Sequence, residues 1–549
     1  MKLSSFEGEL AVLERRGPAD AEVHAATGDS RAVVPGTLFA AIPGTQVDGH
    51  RFLAGAVAAG ASALVVQRWT DDVPDDRPAL RVADPRRALG SAAAALHGHP
   101  SRELLVLAVT GTNGKTSTVA ILRHLLEAAG YRAGAIGTTG VTWTGHAGPV
   151  ALEATHTTPD GPAMQALFAR MRDDGVQAVA MELSSHALHQ GRAAALDLDV
   201  AGWTNLSRDH LDYHADLADY EAAKALILDE VLAGSPSRKG AALVVDHDAV
   251  ARHVTDDTLT VSTRVDSDAA VRPTGTPRFG LDGITAPVTT PDGDFTLRSP
   301  LIGAHNLENL LLAVAMGLRA GIALPVIVDA IATAPAAPGR MERVERSDGR
   351  GPLVLVDYAH TPDAVEQALR SVLPFVPGAI VTVLGCGGDR DHGKRPLMAA
   401  AAWAGSDAVV LTSDNPRSED PEVILDQMLP GVPDVTAAPS LTPTTPLARI
   451  TSRREAIRAA IAAAGPGDLV LIAGKGHEMT QEFDGKKEPF DDRTEAQKAL
   501  DGFHAPSNEP PAGFNKHGRI VQRFPRPRQP QPGYATGTDD GPPTLEFSD

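Results

Sequence analysis

Residues 108–117 read Ala-Val-Thr-Gly-Thr-Asn-Gly-Lys-Thr-Ser, and they join an apolar run of strand length, Leu104 to Val109, to apolar residues repeating at helical spacing from Thr118 to Ala129. A strand that turns through glycines into a helix reads as a phosphate site. Gly111 and Gly114 let backbone N–H groups approach phosphate oxygens, Lys115 adds a point charge, and Thr116 offers a hydroxyl to Mg²⁺. The usual pattern, G-x-x-x-x-G-K-[ST], opens on glycine, whereas Val109 stands at that position here, so the loop is a variant.

Outward from this loop, residues 103–335 alternate strands such as Ala178 to Met181 and Ala241 to Val245 with helices such as Pro162 to Asp173, which predicts a mainly parallel, helix-covered sheet. Functional loops then belong at the carboxyl ends of the strands. Thr157-Thr158-Pro159, Glu182-Leu-Ser184-Ser-His186 and Asn205-Leu-Ser-Arg-Asp-His210 fall there. Glu182 and His210 are candidate hard-metal ligands beside Thr116, because Mg²⁺ takes few protein groups along with water and phosphate. His186 and His214 read as loop or helix-edge histidines. Lys224, on the next helix, reads as a solvated lysine; it could hold a cation only as a carbamate. Asn306 and Asn309 open the apolar helix Leu310 to Ala320, where their amides could cap it or reach a purine edge.

Before residue 103, a strand from Thr37 to Ile42, a helix from Arg51 to Ala61 and a strand from Ala63 to Val66 predict a small α/β unit over 1–102. After an Ala/Pro-rich linker, Ala332 to Pro338, the strands Leu353 to Asp357, Ile380 to Leu384, Ala408 to Leu411 and Leu469 to Ala473 predict a second doubly wound unit over 336–504. Arg390, Arg417 and Glu478 follow three of these strands. Two guanidiniums that can clamp a carboxylate, and a glutamate that can take an ammonium, together suit an amino-acid zwitterion.

The chain has 549 residues, 43% of them hydrophobic and 22% charged, which suggests about three domains rather than one core. Its formal net charge of -19 argues against nucleic acid and anionic membranes as partners. Cys386 is the single cysteine, so no intrachain disulfide can form and a reducing cytoplasm is the expected location. Acids in the first ten residues do not fit a signal peptide, and no apolar run is long enough for a membrane span. Pro430 to Pro446 reads as a long surface loop, and the Pro-rich tail 505–549 is expected to be disordered.

Six motifs in order (Thr-Gly-Thr-Asn-Gly-Lys-Thr, Glu-Leu-Ser-Ser-His, Asn-Leu-Ser-Arg-Asp-His-Leu-Asp-Tyr-His, Asp-Tyr-Ala-His-Thr-Pro, Gly-Gly-Asp-Arg-Asp and Ala-Gly-Lys-Gly-His-Glu) make residues 25–500 resemble the Mur ligases, ATP-dependent amide-forming enzymes of peptidoglycan assembly. The resemblance implies an α/β protein of three domains: an N-terminal UDP-binding unit (1–102), a central P-loop-type ATPase sheet (103–335) and a C-terminal, doubly wound, Rossmann-like ligase domain (336–504). It implies a Mg²⁺ site of Thr116, Glu182, His210 and a carbamylated Lys224, with Lys115 as the phosphate cation. ATP would meet Gly111, Thr112, Asn113, Gly114, Lys115, Thr116, Ser117, His305, Asn306, Asn309, Arg340, Asp357 and Lys394. The acceptor, UDP-N-acetylmuramoyl-L-alanyl-D-glutamate, would meet Ser30, Gln46, Thr157, Thr158, Ser184, Gln190 and Arg192. The incoming amino acid would meet Arg390, Asp414, Asn415, Pro416, Arg417, Gly474 and Glu478, and Arg417 favours meso-diaminopimelate, whose second carboxylate lysine lacks. A monomer is expected. The alternatives are addition of L-lysine or a non-catalytic ATP-binding regulator. Thr45 and the stretch Ser452-Arg453-Arg454 depart from the family pattern.

Overall fold

The computed structural model describes residues 1–44, 47–154, 156–346, 348, 351–432, 437–441 and 445–502. Gln46, Thr45, part of the 430–446 stretch and the 505–549 tail lie outside the described residues.

The phosphate-loop strand, Leu105–Thr110, sits inside an eight-stranded sheet, between Val200–Trp203 and Ala178–Glu182. Six strands (Thr258–Val261, Gly240–Val244, Val200–Trp203, Leu105–Thr110, Ala178–Glu182, Ala133–Gly137) run parallel; Gly140–Gly145 and Gly148–Leu152 extend the edge as antiparallel strands. The inner strands are buried along their length, which is why they read as continuous apolar runs. One face packs on the helices Lys115–Ala128 and His305–Arg319, the other on Gly161–Asp173.

A four-stranded antiparallel sheet (Arg272–Pro273, Arg278–Gly280, Gly283–Thr290, Gly293–Ser299) was not expected. Ile284, Ala286, Val288 and Leu297 are its buried face and join the same core as helix His305–Arg319, with strand Gly293–Ser299 packed on helix Leu324–Thr333.

The N-terminal sheet has five strands in the order Val12–Arg16, Ala79–Val82, Ala61–Val66, Thr37–Ala41, Ala25–Thr27, and all but the first neighbouring pair are parallel. The helix expected over 51–61 is shorter: a 3₁₀ turn, Gly49–Phe52, leads into Leu53–Ala58. Asp48 caps the turn through the His50 N–H, and Gly60, at φ +101°, ends the element. The third sheet has the order Glu342–Val344, Leu353–Asp357, Leu469–Ala473, Ile380–Leu384, Ala408–Leu411, Leu447–Arg449, parallel except at the first pair. A separate hairpin, Thr480–Phe483 with Lys486–Pro489, follows its strand Leu469–Ala473. Among the described residues no helix is long and apolar enough to cross a membrane.

Candidate active site

Strand Leu105–Thr110 delivers the loop 111–114, and helix Lys115–Ala128 starts at Gly114, which has φ +86°. A Cβ on Gly111 would lie 1.8 Å from Thr204 Oγ1, and one on Gly114 would lie 2.3 Å from Asn309 Oδ1, so both positions exclude side chains. The loop is gripped from behind: Asn113 N–H donates to Asn205 Oδ1 (2.9 Å), and Thr204 Oγ1 donates to Asn113 O (2.6 Å). Asn205 in turn donates to Glu308 Oε1 (2.8 Å), whose other oxygen faces His247 Nε2 at 3.3 Å.

Two lysine Nζ atoms converge on one carbonyl. Lys115 Nζ lies 2.7 Å from Gly111 O and 2.9 Å from Thr112 O; Lys224 Nζ lies 2.8 Å from Gly111 O. Lys224 is 1% exposed and sits over the Tyr220 ring, which rules out a solvated lysine. Burial, then the charge of Lys115, push the Lys224 amine well below the ordinary lysine range; burial likewise lowers that of Lys115.

Glu182 ends its strand buried, and Thr138 holds both of its oxygens: the backbone N–H at 2.8 Å from Oε1 and Oγ1 at 3.2 Å from Oε2. Thr138 Oγ1 also meets Thr157 Oγ1 at 3.1 Å. His210 has a left-handed backbone, φ +53°, and its ring stands 4.8 Å from that of His186. Burial, then the neighbouring His210 and His214, lower His186 to about 4. His214, expected at an edge, is buried between Asp219 Oδ2 and Ser185 Oγ, each at 3.1 Å.

A cleft of about 480 Å³ gathers Thr112 to Ser117, Glu182, His210, Lys224, His305 and Asn309 with Arg340 and Asp357 from the third sheet's side. Arg340 stacks on Tyr358, and its buried Nε has no hydrogen-bond partner among the described residues. Asp357 accepts the Met341 and Ala359 N–H groups (2.8 and 2.9 Å), and burial raises its pKa. Three expected nucleotide residues, Gly111, Asn306 and Lys394, do not line this cleft. Asn306 is buried and accepts from Asn309, and Lys394 donates to His360 O at 3.0 Å.

A second cleft, about 430 Å³, is lined by Thr138, Thr157, Thr158, Ser184, His186, Arg192, His210, Tyr358 and His477. The two clefts share Thr138, Thr157, Ser184 and His210. Gln190 supports Arg192, accepting from its Nε (2.9 Å) and Nη2 (2.6 Å), while Ser30 lies apart on the turn Ser30–Ala32 of the N-terminal sheet. Asn205, Tyr358 and His477 lie inside the six motifs but were given no role there, and Thr138 lies in none of them.

At the third sheet, Asp414 and Asn415 are buried, Arg417 is half-buried and Arg390 is exposed. A Cβ on Gly474, at φ +118°, would lie 2.6 Å from Asp414 Oδ2. Arg417 Nη1 donates to Gly388 O (2.6 Å), and Pro416 lies in the same loop. Glu478 is the glutamate expected to take the incoming ammonium. Its Oε2 already accepts from Lys475 (2.8 Å) and Asn415 (2.7 Å).

For Mg²⁺, the donor chemistry fits in part as it stands: a buried carboxylate, a hydroxyl and an imidazole share the cleft with the phosphate loop. Among the described residues there is no group of three His, Cys, Asp or Glu side chains that could hold a metal ion.

A strand-to-helix phosphate loop with its own lysine, facing a second sheet that contributes an arginine and an aspartate, defines an ATP-using enzyme of the ligase type. The chain belongs to the Mur ligase family. The family's catalytic domain matches residues 22–97, its middle domain 109–317 and its glutamate ligase domain 339–476. UDP-N-acetylmuramoyl-L-alanyl-D-glutamate--2,6-diaminopimelate ligases from Thermosynechococcus vestitus and Pseudomonas aeruginosa are each 42% identical, over 85% and 87% of this chain and 90% and 95% of theirs. A solved structure of a ligase of that name shares 34% identity, with a TM-score of 0.64, over 87% of this chain and 95% of that one. Mycobacterium tuberculosis folylpolyglutamate synthase complexed with ADP, 21% identical, shares the fold with a TM-score of 0.54 over 71% of this chain and 92% of its own.

Proposed function

We propose that this chain is an ATP-dependent amide ligase that adds meso-diaminopimelate to UDP-N-acetylmuramoyl-L-alanyl-D-glutamate in peptidoglycan precursor synthesis. The observation that carries the reading is the meeting of the two clefts at Thr138, Thr157, Ser184 and His210. A phosphate loop on one side and Arg192 with Ser184 on the other suit a nucleotide γ-phosphate next to an acceptor carboxylate, which supports the reading. The relatives' shared name supports the identity of acceptor and amine.

The γ-carboxylate of the D-glutamate attacks the γ-phosphorus, the bond to ADP breaks, and an acyl phosphate forms. The diaminopimelate amine then attacks the acyl carbon, the tetrahedral intermediate expels phosphate, and the nitrogen loses a proton to leave the amide. Lys115 and Arg340 supply charge to the moving phosphoryl group, a task of electrostatics and positioning. Tyr358 and His477 line the second cleft, and their rings would help to exclude water from the acyl phosphate. Thr116, Glu182, His210 and carbamylated Lys224 are the residues that would hold Mg²⁺, which supplies positive charge to the phosphate oxygens when bound. A buried, neutral Lys224 amine is the form that adds to CO₂, and the carbamate provides the oxygen that an amine lacks.

Lys115→Ala tests this reading: ADP release should fall by on the order of 10²–10³-fold or more with the melting temperature unchanged. Substrate-dependent ADP release that survives the substitution would refute it.

A further inference from the structure

Lys475 is fully buried, and the reaction above makes no use of its ammonium. Its Nζ donates to Asn415 Oδ1 (3.0 Å) and Glu478 Oε2 (2.8 Å), and Asn415 Nδ2 donates to that same Glu478 oxygen (2.7 Å), which closes a ring of three side chains. The hairpin that follows clasps this ring from outside. Glu482 N–H donates to Asn415 Oδ1 (3.0 Å), Gln481 Nε2 to Asp414 O (2.6 Å), Arg417 N–H to Glu482 O (3.0 Å) and Asp484 N–H to Arg417 O (2.6 Å). Arg417 is thereby held at φ +54°, a left-handed conformation that non-glycine residues adopt only under constraint.

We infer that Lys475 is a positioning residue for the amino-acid site. Together with the 480–489 hairpin it fixes Asn415, Arg417 and Glu478 in one arrangement, and so sets the affinity and selection of the incoming amine without touching it. The inference rests on the diaminopimelate reading above. A single ammonium shared by an amide and a carboxylate ties two loops of the third sheet together, and removing it frees Glu478 to turn and Asn415 to rotate.

The test compares two nucleophiles on the full chain with Mg²⁺-ATP and UDP-N-acetylmuramoyl-L-alanyl-D-glutamate. Diaminopimelate needs the site; hydroxylamine captures the acyl phosphate as a hydroxamate, releasing phosphate, and does not. Lys475→Met should raise the KM for diaminopimelate about tenfold or more and narrow the preference over lysine, while hydroxamate formation and the KM for ATP change by less than about threefold. Lys475→Arg should recover part of the loss. Equal losses with both nucleophiles in a folded variant, or an unchanged KM for diaminopimelate, would overturn the inference. If Lys475→Met does not fold, Gln481→Leu decides: a selective rise in the diaminopimelate KM supports the clasp, and an unchanged one overturns it. Wild-type enzyme that forms hydroxamate but ignores diaminopimelate sinks the substrate reading instead.

Discussion

Lys115 and Lys224 occupy the same few ångströms, yet one could be read from local spacing and the other only through the family resemblance. Lys115 follows Gly114 directly, so its role is a matter of local spacing. Lys224 is defined by a carbonyl 113 positions away and by the Tyr220 ring, which only packing brings to it. The same holds for Lys475, whose burial cannot be seen in Gly-Lys-Gly-His-Glu. For Lys224 the carbamate makes a specific prediction. Lys224→Ala should lose most ADP release, and millimolar acetate or formate should restore part of it by supplying the missing oxygen; no rescue by any short carboxylate would contradict the carbamate. Cys386 gives a simpler case: it is 2% exposed, and burial pushes its thiol up to about 12. Iodoacetamide at neutral pH should label it only after denaturation.

At the scale of elements, the inner parallel strands were legible because burial on both faces writes an unbroken apolar run. The 272–299 antiparallel sheet was not, since two of its strands are only two and three residues long and a third carries Pro287 in its middle. Two ion pairs brace the third sheet's loops. Arg453 and Asp492 are both fully buried and paired through two hydrogen bonds (2.7 and 2.6 Å), so Arg453 has a local job that the family pattern did not assign. Asp492→Asn should cost about 3–5 kcal/mol in chemical denaturation, because it strands the guanidinium; a loss under about 1 kcal/mol would contradict that. Arg395 holds the Glu419 carboxylate, lowering it from 4.5 to about 2. A depressed folded pKa contributes stability above the unfolded value that is lost as pH falls through the folded one. Thermal stability should therefore drop between about pH 4.5 and 2, and Glu419→Gln should flatten that part of the profile.

At the scale of the whole molecule, the phosphate loop and most of the second cleft's lining belong to the eight-stranded sheet and the expected amino-acid loops to the third sheet, so the proposed reaction needs those two sheets aligned. Arg340 and Asp357 reach the nucleotide cleft from the third sheet's side, and Tyr358 and His477 reach the acceptor cleft from the same side. The motifs announced which loops matter, but not that four residues would serve as a shared wall between two clefts. In the proposed function, that wall would let activation and capture proceed in one place. The most direct test is release of ADP and phosphate with Mg²⁺-ATP and UDP-N-acetylmuramoyl-L-alanyl-D-glutamate, with meso-diaminopimelate, L-lysine or L-ornithine added in separate reactions. Turnover with diaminopimelate alone is the predicted result; turnover with lysine in its place, or with none of the three, would contradict it.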